Sequence, residues 1–314
     1  MRRTAAAVVV LLSGAAPSLA EAAAQREPLL HTVRVLRDGL RLNEPQCNAN
    51  PTALWLQADD RVFCIRYWIA RQAAAPREAA LVLLHGDVGR RVKARYVLAE
   101  DDRFTASDVQ YEARAVARIF PGHGVVLGRL GTYGSSGSHL EDRRTVREVR
   151  AIAAALDALK ARYGIKRFHF AGHSGGGHIV AALAQTRDDI GCAVITSGAL
   201  SVATMQHDAG AALGQNPPSF YDPIDHVAAL AGRPGLRLII VSDPEDKLVS
   251  YRSQREFVER VRARHLPIVH VTAAARDRQS HNLHAHGIRL AADCAKGMDD
   301  QALVARYRTK PAPQ

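Results

Sequence analysis

Short apolar segments alternate with amphipathic segments along most of this sequence after residue 79. The segment AALVLLHG (79–86) is an unbroken apolar run, which is typical of a strand buried on both faces of a parallel sheet. The segment EDRRTVREVRAIAAALDALKARYG (141–164) is amphipathic and ends at a glycine, as surface helices often do. Strands that alternate with helices at this spacing build βαβ units. The sequence therefore predicts an α/β fold with a doubly wound, mostly parallel sheet.

Two segments interrupt this alternation, and further elements precede it. HTVRVL (31–36) and RVFCIRYWIA (61–70) predict early strands of a hairpin or meander. Insertions at about 90–110 and about 200–231 follow predicted strands, so we expect both at the carboxyl edge of the sheet, where ligands bind in open α/β folds. The second insertion resembles a small cap. The remaining strands are predicted at 124–131, 167–170, 192–199, 236–246 and 266–274, with a helix at 251–265.

The first twenty residues have the pattern of a secretory signal peptide. Arg2 and Arg3 precede an apolar run that ends in the small-x-small motif 18–20. An uncleaved N-terminal anchor is the alternative, although the run is short for a membrane span. We therefore expect a periplasmic or secreted protein without stable membrane insertion, in which residues 21–314 form one domain.

The charge balance is basic, but it indicates no particular partner. Loss of residues 1–20 removes two arginines and no acidic residue, so the formal net charge falls from +11 to +9. The arginines are spread along the chain and are not interleaved with aromatic residues in a nucleic-acid-binding motif. No nucleic-acid partner is predicted.

Four cysteines indicate disulfide bonds, because an even number is typical of exported chains. Cys47 and Cys64 flank a predicted hairpin region, whereas Cys192 begins a predicted strand and Cys294 lies on the last long helix. Three pairings are possible, and we favour Cys47–Cys64 with Cys192–Cys294. The chain has no C-x-x-C pair, so zinc or thioredoxin-like chemistry is not predicted.

The segment FHFAGHSGGGHIVAAL (168–183) contains a G-x-S-x-G motif between a predicted strand and a predicted helix. This is the context of a nucleophile elbow, in which a strained turn lifts the serine hydroxyl clear of the sheet. Gly172 and Gly176 leave room for strand and helix to approach closely. Ser174 is therefore the predicted nucleophile; the alternative is a structural glycine turn.

A serine nucleophile needs a base, an acid that orients the base, and an oxyanion hole. The chain offers these groups after Ser174 in the order Asp, then His, each at the end of a predicted strand. On these motifs the sequence resembles the α/β-hydrolases, and most of all the dienelactone-hydrolase-like and prolyl-oligopeptidase-like branch. The resemblance extends from about residue 79 to residue 295.

The resemblance implies where the acid and the base lie. The loop DKLV (246–249) matches the Asp-x-x-Val pattern of the family's acid loop, which favours Asp246; Asp243, at the end of the same strand, is the competitor. The base is expected after the last strand, which favours His281 over His284 and His286. Three neighbouring histidines also fit a metal site, but no carboxylate stands at matching spacing. We predict neither a metal nor an organic cofactor.

The family's oxyanion hole combines an N–H from an H-G-x-x-G loop with the N–H of the residue after the serine. Here the loop HGDVG (85–89) supplies Asp87 or Val88, and Gly175 supplies the second donor. A carboxylate at Asp87 departs from the pattern, because it would oppose a developing oxyanion unless its side chain points away.

Four further residues are candidates for the pocket wall: His85, Gly86, His173 and Tyr133. Tyr133 lies in a glycine-rich loop, RLGTYGSSGS (129–138), where it could line the pocket or donate its hydroxyl. The alternative is an exposed tyrosine in a tight loop.

These residues predict two-step acyl transfer in an exported carboxylesterase that acts on a small-molecule acyl substrate. A serine peptidase of the prolyl-oligopeptidase type is the first alternative. A hydrolase-fold binding protein without turnover is the second, and the presence of all three triad residue types weighs against it.

Overall fold

A computed structural model describes residues 27–92, 95–98, 103–209 and 220–311, without the side chains of residues 90–96. The predicted signal peptide lies outside the described residues. Eight of the described strands form one sheet, and two form a separate small hairpin. The strands are β1 Ala53–Ala58, β2 Arg61–Arg71, β3 Ala79–Leu84, β4 Arg90–Val92, β5 Arg95–Val97, β6 His123–Leu127, β7 Arg167–His173, β8 Ile190–Thr196, β9 Arg237–Ser242 and β10 Val269–Thr272.

The large sheet has the strand order β1-β2-β6-β3-β7-β8-β9-β10. All pairings from β6 to β10 are parallel, whereas β2 pairs antiparallel with β1 and with β6. The carboxyl ends of the parallel strands therefore meet at one edge of the sheet. This arrangement confirms the predicted α/β fold with a mostly parallel sheet.

Helices cover both faces of the sheet, and a separate apolar cluster lies beneath each layer. One face packs against Ile152, Ile179 and Phe257, and the other packs against Val109 and Leu290. The helices are α1 Val33–Asp38, α2 Glu44–Asn48, α3 Ala106–Ile119, α4 His139–Asp142, α5 Val146–Tyr163, α6 Gly175–Thr186, α7 Val202–Asp208, α8 Tyr251–Arg262, α9 His284–Ala295 and α10 Asp300–Tyr307, with a 3₁₀ segment at Pro223–Gly232.

The predicted strand at 31–36 is wrong, because this segment forms helix α1. Thr32 caps the helix by accepting a hydrogen bond from the Val35 N–H, and Gly39 ends it with a φ of 73°. Only Leu36 of this helix is buried, so the alternating apolar residues do not line a sheet face. The strand that pairs with β2 is instead β1, with the sequence ALWLQA.

The predicted helix at 141–164 is divided into α4 and α5. Arg144 takes a φ of 62° between them, and the Thr145 side chain caps α5. Gly164 ends α5 in the left-handed conformation, as its position predicted. The break brings the side chains of Arg143 and Arg144 to the Asp87 carboxylate in the loop after β3.

The two insertions have different content. The first contains the β4–β5 hairpin and leads into α3, which begins behind a Thr105 capping box. The second contains α7 and the 3₁₀ segment, and its residues 210–219 lie outside the described part of the chain.

Both favoured disulfide bonds are present. Cys47–Cys64 ties α2 to β2, and Cys192–Cys294 ties β8 to α9. Of the helices in the described residues, none combines the length and the apolar composition needed to cross a membrane.

Candidate active site

Ser174 lies at a sharp turn between β7 and α6, with φ 52° and ψ −118°. Its N–H donates to the Thr196 carbonyl at 2.9 Å, which ties the turn to the end of β8. A Cβ at Gly172 would lie 2.6 Å from a methyl group of Val180, and a Cβ at Gly176 would collide with the Leu84 carbonyl. Strand and helix thus approach so closely that only glycine fits on either side of the serine, which is the geometry of a nucleophile elbow.

Asp246 and His281 form a buried pair across two loops. His281 Nδ1 lies 3.0 and 2.9 Å from the two carboxylate oxygens of Asp246. The carboxylate also accepts the N–H groups of Leu248 and Val249, each at 2.9 Å. A carboxylate only accepts, so Nδ1 carries a proton, and in the neutral imidazole this leaves the lone pair on Nε2.

Backbone contacts fix the His281 loop beside the elbow. The Ser197 hydroxyl donates to the His281 carbonyl at 2.7 Å, and the His281 N–H donates to Asp277 at 2.9 Å. The imidazole lies 4.8 Å, centre to centre, from that of His173, the residue before Ser174. Sequence reasoning missed Ser197, although its place directly after β8 puts it at the same sheet edge.

The competing residues have other partners. Asp243 accepts the Lys310 ammonium at 2.8 Å and the N–H groups of Glu245 and Ala275. His284 is hydrogen-bonded to Glu112 on α3 at 2.6 Å. The structure thus brings Asp246, not Asp243, against the candidate base.

The Ser174 hydroxyl and the His281 imidazole are not hydrogen-bonded to each other in this structure. Among the residues that the structure describes, none accepts or donates a hydrogen bond with the Ser174 hydroxyl. Catalytic hydrogen bonds of unliganded enzymes are often long and tighten when substrate binds.

The oxyanion loop lies directly against the elbow, since a Cβ at Gly86 would stand 3.2 Å from the Ser174 Cβ. The Val88 N–H donates to His139 Nε2 at 3.1 Å. Val88 is therefore not available as an oxyanion donor, which corrects that alternative. Asp87 and Gly175 remain, and the Gly175 N–H lies in the first turn of α6, where helical N–H groups have no helical partner.

The Asp87 side chain does not point away from the elbow. Its carboxylate contacts the Gly175 Cα region so closely that a Cβ there would collide with it. Burial alone would raise the pKa of this carboxyl, but the guanidinium groups of Arg144, Arg129 and Arg143 outweigh burial and hold the pKa well below its usual range. The three guanidinium groups thus offset the negative charge of the Asp87 carboxylate beside the elbow.

His85 and Tyr133 belong to a buried aromatic cluster next to the loop. His85 Nδ1 donates to the Gly86 carbonyl at 2.7 Å, and His85 Nε2 is hydrogen-bonded to the Thr132 hydroxyl at 2.9 Å. The centre of the Tyr133 ring lies 4.1 Å from that of the His85 ring, with the two rings tilted by 34°, and Tyr133 is 3% exposed. The alternative of an exposed loop tyrosine is therefore wrong.

His173 is hydrogen-bonded to the Thr196 hydroxyl at 3.0 Å. Burial and the neighbouring His281 and His284 hold its pKa well below the usual value, so His173 is neutral near pH 7. Within the described ranges, no group of three His, Cys, Asp or Glu side chains is arranged to hold a metal ion.

Sequence reasoning also missed Arg129, whose side chain is fully buried beside the oxyanion loop. It donates to Glu148 through two nitrogens, at 2.9 and 3.0 Å, and to Asp87 at 2.9 Å. The signal available in the sequence was its place just after β6, at the edge where the other loops meet.

Comparisons with known proteins agree with this architecture. Residues 79–241 match a family model described as the alpha/beta hydrolase fold. The structure resembles the esterase Pf2001 of Pyrococcus furiosus, with a TM-score of 0.54 and 13% sequence identity over 85% of this chain and 96% of that one.

Two solved peptidases are also similar. An acylaminoacyl peptidase of Pyrococcus horikoshii gives a TM-score of 0.52 at 14% identity, over 78% of this chain and 39% of that one. A puromycin-hydrolyzing peptidase of Mycobacterium tuberculosis gives 0.53 at 15% identity, over 79% and 39%. At such identities the likeness shows the fold alone. No curated protein sequence matches this chain.

Proposed function

The chain belongs to the α/β-hydrolase fold family, and we propose that it is an exported serine hydrolase that cleaves carboxylic esters through an acyl-enzyme. The observation that carries this proposal is the convergence of three strand-end loops. Ser174 on its elbow, the Asp246–His281 pair and the H-G-x-x-G loop meet at the carboxyl edge of one sheet.

The geometry supports a two-step mechanism. Substrate binding closes the contact from the Ser174 hydroxyl to His281 Nε2, which takes the proton as Ser174 Oγ attacks the acyl carbon. Asp246 stabilises the resulting imidazolium through Nδ1–H. His281 then returns the proton to the leaving alcohol, and a water molecule repeats the sequence to release the acid and regenerate Ser174.

The N–H groups of Asp87 and Gly175 are the proposed oxyanion donors. Both lie on backbone that is held before substrate arrives, so they need no reorganisation when negative charge develops. Loss of one such donor typically lowers the rate on the order of 100-fold or more.

The likeness to the esterase and to the peptidases is one of fold, so the choice of an ester substrate is part of the proposal and is decided by the test below. The chain aligns with 96% of the Pyrococcus furiosus esterase but spans 39% of each peptidase. The peptidase alternative and the binding-protein alternative both remain outcomes of the test below.

Export is proposed from the N-terminal pattern and the two disulfide bonds. Disulfides persist in oxidising compartments and are rare in the cytosol. To test this, the chain is expressed with its own N-terminus and the intact mass of the exported product is measured. A mass equal to that of residues 21–314 supports export with cleavage after Ala20.

The nucleophile is tested with a fluorophosphonate probe and intact mass spectrometry. We expect a single adduct on the wild type, none on Ser174→Ala, and an unchanged adduct on Ser107→Ala, a control at the exposed start of α3. Ser174→Ala should also lower kcat for p-nitrophenyl esters by about 10⁴–10⁶-fold.

Parallel panels of p-nitrophenyl esters and p-nitroanilides of the same acyl groups separate esterase from peptidase. Faster turnover of the anilides would favour the peptidase. A folded wild type without an adduct and without turnover would overturn the hydrolase proposal in favour of a binding protein.

A further inference from the structure

The backbone around Asp87 is held from one side by residues that follow β6. The Arg129 guanidinium donates to the His85 carbonyl at 3.4 Å and to the Asp87 carboxylate at 2.9 Å. His139 accepts the Val88 N–H at 3.1 Å. Side chains from outside the loop thus fix the His85–Gly86 and Asp87–Val88 peptide groups. The Gly86–Asp87 peptide group, which carries the Asp87 N–H, lies between them, and its carbonyl accepts from His85 Nδ1 at 2.7 Å.

Arg129 is itself rigidly anchored. Its side chain has no exposed area, and Glu148 on α5 binds it with both carboxylate oxygens. Glu148 also accepts the Arg144 N–H at 2.8 Å. Burial opposes the charge on Arg129, but Glu148 and Asp87 outweigh burial and raise its pKa, so it stays protonated.

A buried ion pair is weak evidence for stability, because apolar residues of similar volume often do as well. This one lies against the elbow: a Cβ on Gly175 would stand 2.7 Å from a guanidinium nitrogen of Arg129. Together with Arg143 and Arg144, the cluster holds three guanidinium groups and two carboxylates, which leaves a surplus of positive charge beside the oxyanion donors.

We propose that Arg129 is a positioning residue that aims the Asp87 N–H into the oxyanion hole by holding the His85 carbonyl and the Asp87 carboxylate at once. The inference rests on the proposed function, since it assigns a task within the same acyl transfer. Arg129 acts through Asp87 and does not touch the substrate.

The test removes Arg129 without leaving Glu148 as an unpaired buried charge. The double variant Arg129→Met/Glu148→Gln is compared with Arg187→Met/Asp189→Asn. This control removes a partly buried ion pair at the opposite edge of the sheet. We expect the first variant to lose about 10–100-fold in kcat with KM within about twofold.

Affinity for a reversible alkylboronic acid, which forms a tetrahedral adduct on the serine, should fall by a factor similar to that in kcat. The control should change neither quantity by more than about threefold, since its ion pair is remote from the elbow. Arg129→Lys, whose single ammonium cannot bridge both acceptors, should fall in between. Equal kcat in the double variant and the control would overturn the proposal.

A second measurement separates this inference from the proposed function. Amide hydrogen exchange of the peptide spanning 85–89 is measured by mass spectrometry on the wild type and the double variant. Exchange about tenfold faster or more in the variant is expected even if no ester is turned over. Unchanged exchange in the double variant would overturn the positioning role. Faster exchange in the double variant, combined with a wild type that hydrolyses no ester, would contradict only the proposed function.

Discussion

At the scale of single residues, two carboxylates on one loop have different surroundings. Asp246 accepts Nδ1–H of His281 and two backbone N–H groups. Asp243 is fully buried and accepts the Lys310 ammonium and two other N–H groups. The partners, not the residue type, decide which of the two orients the base.

We predict that Asp246→Asn lowers kcat about 10³–10⁴-fold, because an amide no longer holds the tautomer with a free Nε2. Asp243→Asn should leave kcat within a few-fold and instead lower the free energy of unfolding by about 1–3 kcal/mol, since the Lys310 pair is lost. Steady-state kinetics and urea unfolding of both variants check this. A larger loss of kcat in Asp243→Asn than in Asp246→Asn would contradict the assignment of Asp246 as the residue that orients the base.

At the scale of elements, the Cys192–Cys294 bond joins a central strand to the helix that follows the His281 loop. The two cysteines are 102 residues apart in sequence, compared with 17 for Cys47–Cys64. In the chain-entropy model a longer closed loop restricts the unfolded chain more strongly, by about 4.7 against about 3 kcal/mol for these two loop sizes.

Replacing both cysteines of the long loop by alanine should therefore destabilise the protein by roughly 1–2 kcal/mol more than replacing Cys47 and Cys64. Urea unfolding under non-reducing conditions measures the difference. The short-loop variant is the matched control, since it removes the same atoms. An equal or larger loss in that variant would show that strain or packing, and not loop length, sets the contributions.

At the scale of the whole molecule, many histidines are buried without charge. Burial lowers the pKa of His31, His169 and His270 to about 4 and that of His178 to about 3. In the unfolded chain these groups take up protons near pH 6.5. As the pH falls from 6.5 towards 4, these histidines bind protons in the unfolded state but not in the folded state. The free energy of unfolding therefore decreases over this pH range.

We expect each such histidine to contribute a slope of up to about 1.4 kcal/mol per pH unit between pH 6.5 and 4.5. His31→Phe keeps a ring against Tyr133 and should reduce the slope of unfolding free energy against pH by about one proton. His265→Asn, at an exposed position whose φ of 56° asparagine tolerates, is the control and should leave the slope unchanged. Urea unfolding at several pH values between 6.5 and 4.5 measures this slope. A slope in His31→Phe equal to that of the wild type would refute the prediction.

Sequence patterns alone were enough to predict the parallel strands, the main helices and the elbow. These features depend on patterns that are local in the sequence: apolar runs, capping residues and the two glycines that flank the serine in the G-x-S-x-G motif. The early segment 31–36 shows the limit of such patterns, because Thr32 and Gly39 cap a helix there while the apolar spacing indicates a strand.

The side chains that meet at the sheet edge could be identified from the folded molecule but not from sequence patterns. His281 and Asp246 lie 35 residues apart, and Val88 meets His139 across 51, so their pairing depends on distances between remote loops. Arg129 lies in no motif that the sequence reveals. Its proposed positioning role was inferred from its burial between Glu148 and Asp87. Period and composition describe a residue's neighbours along the chain, whereas hydrogen bonds across loops depend on where the whole sheet places each strand end.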